Sequence, residues 1–163
     1  MSSASPDTAL TAERMEAAIR GYFDACNAAD AERIASYFVP EGVHYFPPGM
    51  YQGPFEGAAT IARRWCDAVA RFGSIWTVDS VITDVLTARA VIEWSHFKTF
   101  QSTLLRGDEW YRFDPANGLI IEIRAYYAAP QPQEGGRLEL GGFDYAGRGF
   151  PLEPPFERPE PRA

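Results

Sequence analysis

Five side chains in the sequence could move protons within apolar surroundings. His44 and His96, the only two histidines among the 163 residues, lie in the apolar stretches EGVHYF and VIEWSHF. Glu93, Glu109 and Tyr22 lie in similar stretches. Histidine can shuttle protons near neutral pH, and a carboxyl group in apolar surroundings can act as a general acid or base. The set therefore predicts acid–base chemistry. Two histidines exclude a histidine-rich metal site, although a carboxylate-assisted one stays open, and we expect no metal.

Strand alternation limits which of these side chains can share a site. Glu93 and His96 are three residues apart in one predicted strand, so they face opposite sides unless a bulge intervenes. If Glu93 faces inward it could be a general base, and if His96 does it could shuttle protons. His44 shares a face with Phe46 and could also supply the base. Glu109 is either an inward-facing acid or an exposed strand glutamate paired with an arginine. The residues alone leave these alternatives open.

Three predicted helices precede most of the predicted strands. The first helix follows a candidate N-cap at Thr11, and Asp30 is the candidate cap of a second helix, AERIASYF, that stops at Pro40. A third helix, GAATIARRWCDAVARFG, ends at Gly73. EGVHYF is a short strand, and after the third helix the apolar period becomes two in SIWTVDSVITDVLTA, RAVIEWSHFKTFQ, LLRGDEWYRFD and LIIEIRAYYA. This order has no βαβ alternation and predicts an α+β fold.

The composition separates one folded domain from a C-terminal extension. Residues 1–128 carry the periodic patterns, whereas residues 129–163 are rich in proline and glycine, which excludes a long helix or a central strand there. Phe143, Tyr145 and Phe150 are unusual in a disordered tail. We therefore expect this stretch to pack on the body of the protein or on a second subunit.

Composition and charge exclude several classes of function. The net charge is −7 without a basic stripe, which argues against binding to nucleic acid or to anionic membranes. No apolar run is long enough to span a bilayer, and the first residues do not resemble a signal peptide, so we expect a cytoplasmic protein. There is no Rossmann or P-loop glycine motif, and we expect no cofactor. Cys26 and Cys66 lack metal-type spacing and are expected to be reduced thiols in helices.

The order of these motifs resembles the nuclear transport factor two-like superfamily, and within it the SnoaL-like polyketide cyclases, the ketosteroid isomerases and the limonene epoxide hydrolases. The likeness rests on NAADAERI, FPPG and RFDPANGLIIEIRAYY, and it extends from Glu13 to Tyr127. It implies a cone-shaped, curved antiparallel sheet that encloses a deep, largely apolar pocket together with the three helices. This scaffold hosts isomerases, hydrolases, dehydratases, cyclases and non-catalytic binders.

The resemblance assigns catalytic roles to some residues of this chain, whereas other catalytic positions of the family hold residues that cannot serve. Tyr22 falls where ketosteroid isomerases keep the tyrosine that stabilises an oxyanion, and Glu109 falls at their protonated acid. The isomerases' base falls at Phe46, which cannot accept a proton. The first aspartate of the epoxide hydrolases falls near Glu93, and the histidine of dehydrating relatives falls at Trp76. The resemblance therefore implies a site in which Glu93, His96 or His44 replaces the missing base.

Strand directions taken from the same resemblance place further side chains in the pocket. They turn Ile121, Ile123, Ala125 and Tyr127 inward on the last strand. Aromatic residues make up 14% of the chain, and such side chains often line pockets for apolar ligands. The side chains expected to bind the substrate are Phe46, Tyr51, Trp65, Trp76, Tyr111 and Tyr127.

Two functions of different kinds follow from these observations. The first is a cofactor-independent acid–base enzyme (an isomerase, dehydratase, cyclase or hydrolase) acting on a small, largely apolar or polycyclic molecule. The alternative is a non-catalytic module for small-molecule binding or assembly. In either case we expect a homodimer, because relatives of this fold pair through the outer sheet face, which here would present Trp94 or Trp110, Arg124 and Tyr126.

Overall fold

The computed structural model describes residues 9–47, 50–51, 53–127, 137–138, 144–147 and 149–159. Within them the chain forms three α-helices, one 3-10 helix and seven strands. In chain order the elements are α1 (Ala12–Asn27), α2 (Ala31–Ala35), β1 (Phe38–Tyr45), β2 (Phe55–Glu56), α3 (Ala58–Phe72), β3 (Ser74–Asp84), β4 (Arg89–Lys98), the 3-10 helix (Thr99–Gln101), β5 (Thr103–Phe113), β6 (Ile120–Tyr126) and β7 (Arg137–Leu138). No described helix is long and apolar enough to cross a membrane.

The helix ends follow the predicted capping residues. The Thr11 side chain accepts a hydrogen bond from the Arg14 amide at the start of α1, and the Asp30 side chain caps α2 in the same way. Helix α3 ends at Gly73, whose φ of 61° lies in the left-handed region that glycine adopts readily. All three predicted caps are confirmed, because each depends on chemistry local to its own turn.

The second helix is shorter than the sequence predicts. We expected AERIASYF to stay helical up to Pro40, but α2 ends at Ala35 and Phe38 already belongs to β1. Phe38 pairs with Ile120 of β6, and the register of this pairing shifts between Phe38 and Val43. Pro40 lies inside that irregular stretch, where its missing N–H costs no ladder hydrogen bond. Long-range strand pairing therefore overrides the local helical pattern.

One mixed sheet forms the framework, with the strand order β2-β1-β6-β5-β4-β3 and β7 beside β5. Strands β3 to β6 are antiparallel, but β1 runs parallel to β6 and β7 runs parallel to β5. The predicted α+β fold with a curved, mainly antiparallel sheet and three helices is confirmed, and the two parallel pairs are additions to it. Strands β1 and β6 lie far apart in the chain, so no hairpin imposes an antiparallel arrangement on them. Register shifts in β3 and β5 bend the sheet, which stays open between β2 and β3.

The concave face of the sheet packs against α1 and α3 and holds the main core. Ile19, Ile61, Ile92 and Ile123 are fully buried there. On β6 the sequence predicted Ile121 as inward-facing, whereas Ile120 is fully buried and Ile121 is half-buried. The register shift between Arg112 and Phe113 on β5 moves the alternation by one residue at this end.

The convex face carries part of the C-terminal extension. The Arg106 guanidinium lies 4.2 Å from the ring centroid of Tyr145 and 5.9 Å from that of Phe150, and its Nη2 donates to the Pro151 carbonyl at 2.7 Å. A small second cluster of buried side chains, Ile75, Phe97 and Leu104, lies on this face. Phe143 lies outside the described residues. The division of the chain near residue 128 stays a prediction.

Candidate active site

A narrow aromatic cavity lies between the concave face of the sheet and helices α1 and α3. The cavity volume is about 30 Å³. Most lining side chains are aromatic, and Glu109 is the carboxylate among the described lining residues. The lining residues are Tyr22, Phe23, Cys26, Phe46, Tyr51, Trp65, Trp76, Trp94, His96, Glu109, Ala125 and Tyr127.

Glu109 of β5 lies at the centre of the polar part of this cavity. Its side chain faces inward because it pairs with Ile92 of β4 and Ala125 of β6, which both belong to the concave face. Only 7% of the residue is exposed. The Tyr111 hydroxyl, two residues along the same strand face, donates a 2.6 Å hydrogen bond to Oε2. A buried carboxylate held by a short hydrogen bond can exchange protons with a ligand that enters.

His44 of β1 lies behind Glu109. Its Nε2 atom is 3.4 Å from Glu109 Oε1, which is within ion-pair distance, and the residue is 1% exposed. The ring stacks on Phe46 with 4.2 Å between centroids. Among the residues that the structure describes, neither ring nitrogen makes a hydrogen bond. The His44 ring and the Glu109 carboxyl group are close enough to interact electrostatically. His44 does not line the cavity and can act only through Glu109.

Tyr22 of α1 presents its hydroxyl group to the cavity. The Trp65 indole N–H donates to the Tyr22 oxygen at 2.7 Å, and the Cys26 side chain lies one helical turn later. Burial raises the pKa of Tyr22 well above its usual value, and the Cys26 and Glu109 side chains add to this shift. Tyr22 therefore stays protonated at neutral pH and can donate a hydrogen bond to a ligand oxygen.

His96 of β4 lies on the wall formed by β3 and β4. Its ring stacks on Trp76 with 4.6 Å between centroids, and its Nε2 atom is 2.8 Å from the Ser74 hydroxyl. Burial, with a smaller effect of Lys98, lowers the pKa of His96 well below 6.5. The imidazole is therefore neutral at pH 7. Of the two alternatives on this strand, His96 is the inward one.

Glu93 is not brought into the site. It is exposed on the opposite face of β4, because Glu93 and His96 are three positions apart in a regular strand. The expectation that Trp94 could lie on the outer sheet face is also wrong. Trp94 could have contributed to an outer dimer face, but its side chain is buried and lines the cavity. Among the outer-face candidates, Trp110 is 40% and Tyr126 is 53% exposed.

The aromatic residues expected to bind a substrate divide into two groups. Phe46, Tyr51, Trp65, Trp76 and Tyr127 line the cavity. Tyr111 lies behind Glu109 and touches the cavity only through that carboxylate. Burial raises the pKa of Tyr51 to about 12 and also raises the pKa values of Tyr111 and Tyr127. The phenols are thus neutral hydrogen-bond donors.

Sequence reasoning missed Phe23, Cys26 and Trp94 as lining residues. The signal was present for Trp94, since it shares a strand face with His96. Cys26 lies one helical turn after Tyr22, which also places it on the lining face. Cys26 and Cys66 are both free thiols in helices, as predicted. In the described part of the chain, no three histidine, cysteine or acidic residues cluster in a way that could hold a metal ion.

Comparisons with known proteins place this fold and cavity in a family. The model of the SnoaL-like domain family matches residues 19–123. A protein of unknown function with a cystatin-like fold from Methylobium petroleophilum PM1 is 54% identical, covering 93% of this chain and 99% of that one with a TM-score of 0.73. No curated protein matches the chain.

More distant solved structures share the fold alone. An NTF2-like protein of unknown function from Mesorhizobium loti is 16% identical, covering 78% of this chain and 98% of that one with a TM-score of 0.59. A suggested polyketide cyclase from Sinorhizobium meliloti is also 16% identical, covering 69% of this chain and 98% of that one with a TM-score of 0.57. The overall fold of the chain agrees with these structures. The chain therefore belongs to the SnoaL-like family and has an NTF2-like fold.

Proposed function

We propose that this protein is a cofactor-independent enzyme that transfers protons on a small, largely apolar molecule, with Glu109 as the acid–base group. The observation that carries the proposal is the position of one buried carboxylate at an aromatic cavity, with the Tyr111 hydroxyl at 2.6 Å and His44 at 3.4 Å. Carboxyl groups in apolar pockets beside a histidine commonly perform acid–base catalysis.

Each polar group has a distinct task in the proposed reaction. The Glu109 carboxylate removes a proton from a carbon next to a carbonyl group, and the electron pair of that C–H bond moves onto the carbonyl oxygen. The Tyr22 hydroxyl donates a hydrogen bond to this oxygen as negative charge develops. In a substrate with a C=C bond beyond the carbon that lost the proton, Glu109 then returns the proton to the far carbon of that bond. The C=C bond moves next to the carbonyl group as the C=O bond re-forms, so the product is an isomer of the substrate. The neutral His96 imidazole also lines the cavity and can form a hydrogen bond with the substrate.

The walls of the cavity support an apolar substrate. Trp65 and Trp76 meet at 70° with 5.5 Å between centroids, and Phe46 and Tyr51 meet at 63° and 4.5 Å. Rings at steep angles enclose a flat or branched apolar group from several sides. A cavity of about 30 Å³ admits only a small fragment as it stands. A polycyclic ligand therefore requires the side chains at this wall to move aside.

Two matched substitutions test the acid–base role of Glu109. In D₂O, the replacement of hydrogen by deuterium next to the carbonyl group of small cyclic ketones can be followed by ¹H NMR. The proteins compared are wild type, Glu109→Gln and Glu93→Gln. We expect Glu109→Gln to slow enzyme-dependent exchange by roughly 10²–10⁴-fold, the usual contribution of a general base. Glu93→Gln removes an exposed carboxylate from the neighbouring strand and should leave exchange unchanged. Equal exchange by Glu109→Gln and wild type would refute the proposal.

A non-catalytic binding module is the second candidate. It is favoured by Phe46, an apolar residue at the position that the resemblance gives to a base. It is also favoured by the hydrogen bond that Glu109 Oε2 already accepts from Tyr111. This function predicts ligand binding without proton exchange. Calorimetric binding of a cyclic ketone, together with wild-type exchange no faster than the buffer, would support it.

We also propose that the protein forms a homodimer through its convex sheet face. Exposed aromatic side chains at Tyr45, Trp110 and Tyr126, beside Arg124, support this proposal. Sedimentation equilibrium of wild type and Trp110→Ser tests it. We expect a dimer that weakens on substitution, and a wild-type monomer at all concentrations would overturn it.

A further inference from the structure

We propose that Arg158, in the C-terminal extension, is a positioning residue for the wall of the cavity that carries Trp76 and His96. The proposal concerns the cavity of the proposed function and rests on that function for its catalytic meaning. The positioning role itself is inferred from contacts between the extension, the end of α1 and the start of β3.

The Arg158 side chain joins two elements with one guanidinium group. Its Nη2 donates to the Asn27 carbonyl at 2.8 Å and to the Ser74 carbonyl at 2.8 Å, and its Nε donates to Ser74 at 3.2 Å. Asn27 is the last residue of α1, and Ser74 is the first residue of β3. The planar guanidinium suits this task because several donors point in fixed directions.

The contact also satisfies the end of α1. Helix α1 has no basic residue in its last turn, and the last carbonyls of a helix have no partner within the helix. A cation at this end interacts favourably with the helix dipole. Arg158 supplies that cation from a position 131 residues further along the chain.

One route leads from Arg158 to Trp76 through Asn27. The Asn27 amide accepts from the Trp76 N–H at 2.8 Å and donates to the Trp76 carbonyl at 2.8 Å. Strand β3 is an edge strand of the sheet, so these two backbone groups have no neighbouring strand on that side. Asn27 takes the place of that strand, and Arg158 holds the backbone of Asn27. The Trp76 ring lines the cavity.

A second route leads from Arg158 to His96 through Ser74. Arg158 holds the Ser74 carbonyl, and the Ser74 hydroxyl lies 2.8 Å from His96 Nε2. Ser74 is completely buried, so its orientation determines the partner that His96 finds. His96 in turn stacks on Trp76. The two routes thus meet at one pair of stacked rings in the cavity wall.

The extension has a separate attachment that makes the role of Arg158 testable. Arg106 lies against Tyr145 and Phe150 and bonds to the Pro151 carbonyl, on the convex face. Loss of the Arg158 side chain therefore releases the end of the extension while this attachment persists. A change at His96 can then be assigned to the contact at Ser74 and Asn27.

Nuclear magnetic resonance of the ligand-free protein tests the inference independently of any activity. With only two histidines, long-range ¹H–¹⁵N spectra separate the ring nitrogens of His96 from those of His44. In Arg158→Gln we expect displaced His96 ring ¹⁵N shifts, unchanged His44 shifts, and faster hydrogen exchange of the Trp76 amide. Arg63→Gln, a change at an exposed arginine of α3, is the control and should alter neither signal.

A conservative variant keeps the test decisive if Arg158→Gln does not fold. Arg158→Lys keeps the positive charge at the end of α1 but loses the planar guanidinium group with its several donors. It should change the His96 ring shifts and the Trp76 amide exchange by a smaller amount. Unchanged His96 ring shifts and Trp76 exchange in the folded variants would overturn the inference. Because the readout needs no substrate, this failure is distinguishable from the failure of Glu109 as the acid–base group.

Discussion

The buried imidazole of His96 predicts a specific loss of stability in acid. Burial holds the folded-state pKa of His96 well below 6.5, its ordinary value in an unfolded chain. Below pH 6.5 the unfolded chain therefore takes up a proton that the folded protein does not, and unfolding becomes more favourable. The slope for one proton is about 1.4 kcal/mol per pH unit. The loss continues with falling pH until the folded-state pKa is reached.

His96→Gln isolates this effect, because a glutamine amide can still bond to the Ser74 hydroxyl but does not titrate. Urea unfolding of both proteins, followed by far-UV circular dichroism between about pH 5 and pH 7, gives the free energy of unfolding at each pH. We expect wild type to lose about 1.4 kcal/mol more than His96→Gln for each pH unit below 6.5. Parallel curves would refute the reasoning, since other titrating groups are common to both proteins.

Three further substitutions test individual contacts. Tyr111→Phe leaves the buried Glu109 Oε2 atom without its hydrogen-bond donor and should lower the free energy of unfolding by about 1–3 kcal/mol, measured by urea unfolding. No loss of stability would contradict the contact. Arg106→Ala should release Tyr145 from the convex face, seen as faster proteolysis beyond residue 143 with the rest intact, and an unchanged digestion pattern would argue against it. Gly73→Ala imposes a side chain at a φ of 61° and should cost about 1–2 kcal/mol, and an unchanged thermal midpoint would exclude that strain.

The parts of the fold that depend on local chemistry could be predicted from the sequence. Thr11, Asp30 and Gly73 cap their helices as expected because each acts within one helical turn. The inward position of Glu109 followed only from the family resemblance, because alternation alone left it open. The start of β1 was not predictable, because Phe38 leaves the helical pattern only when Ile120 of a distant strand pairs with it.

The contacts between side chains in and around the candidate site could not be predicted from the sequence. His44 approaches Glu109 because β1 and β5 flank β6, and that parallel pairing has no local sequence signal. Alternation alone could not decide between Glu93 and His96, since it fixes only that they face opposite sides. Likewise, nothing near Ser74 indicates that Arg158 will bond to its carbonyl. These contacts arise from chain segments that meet only in the folded state.

The distribution of tryptophans gives the protein two separate optical reporters. Of its four tryptophans, Trp65, Trp76 and Trp94 line the cavity, whereas Trp110 lies exposed on the convex face. A molecule entering the cavity alters the emission of the buried indoles, and a dissolved quencher such as iodide reaches mainly Trp110. Intrinsic fluorescence can therefore distinguish occupation of the interior from coverage of the outer sheet, without any label.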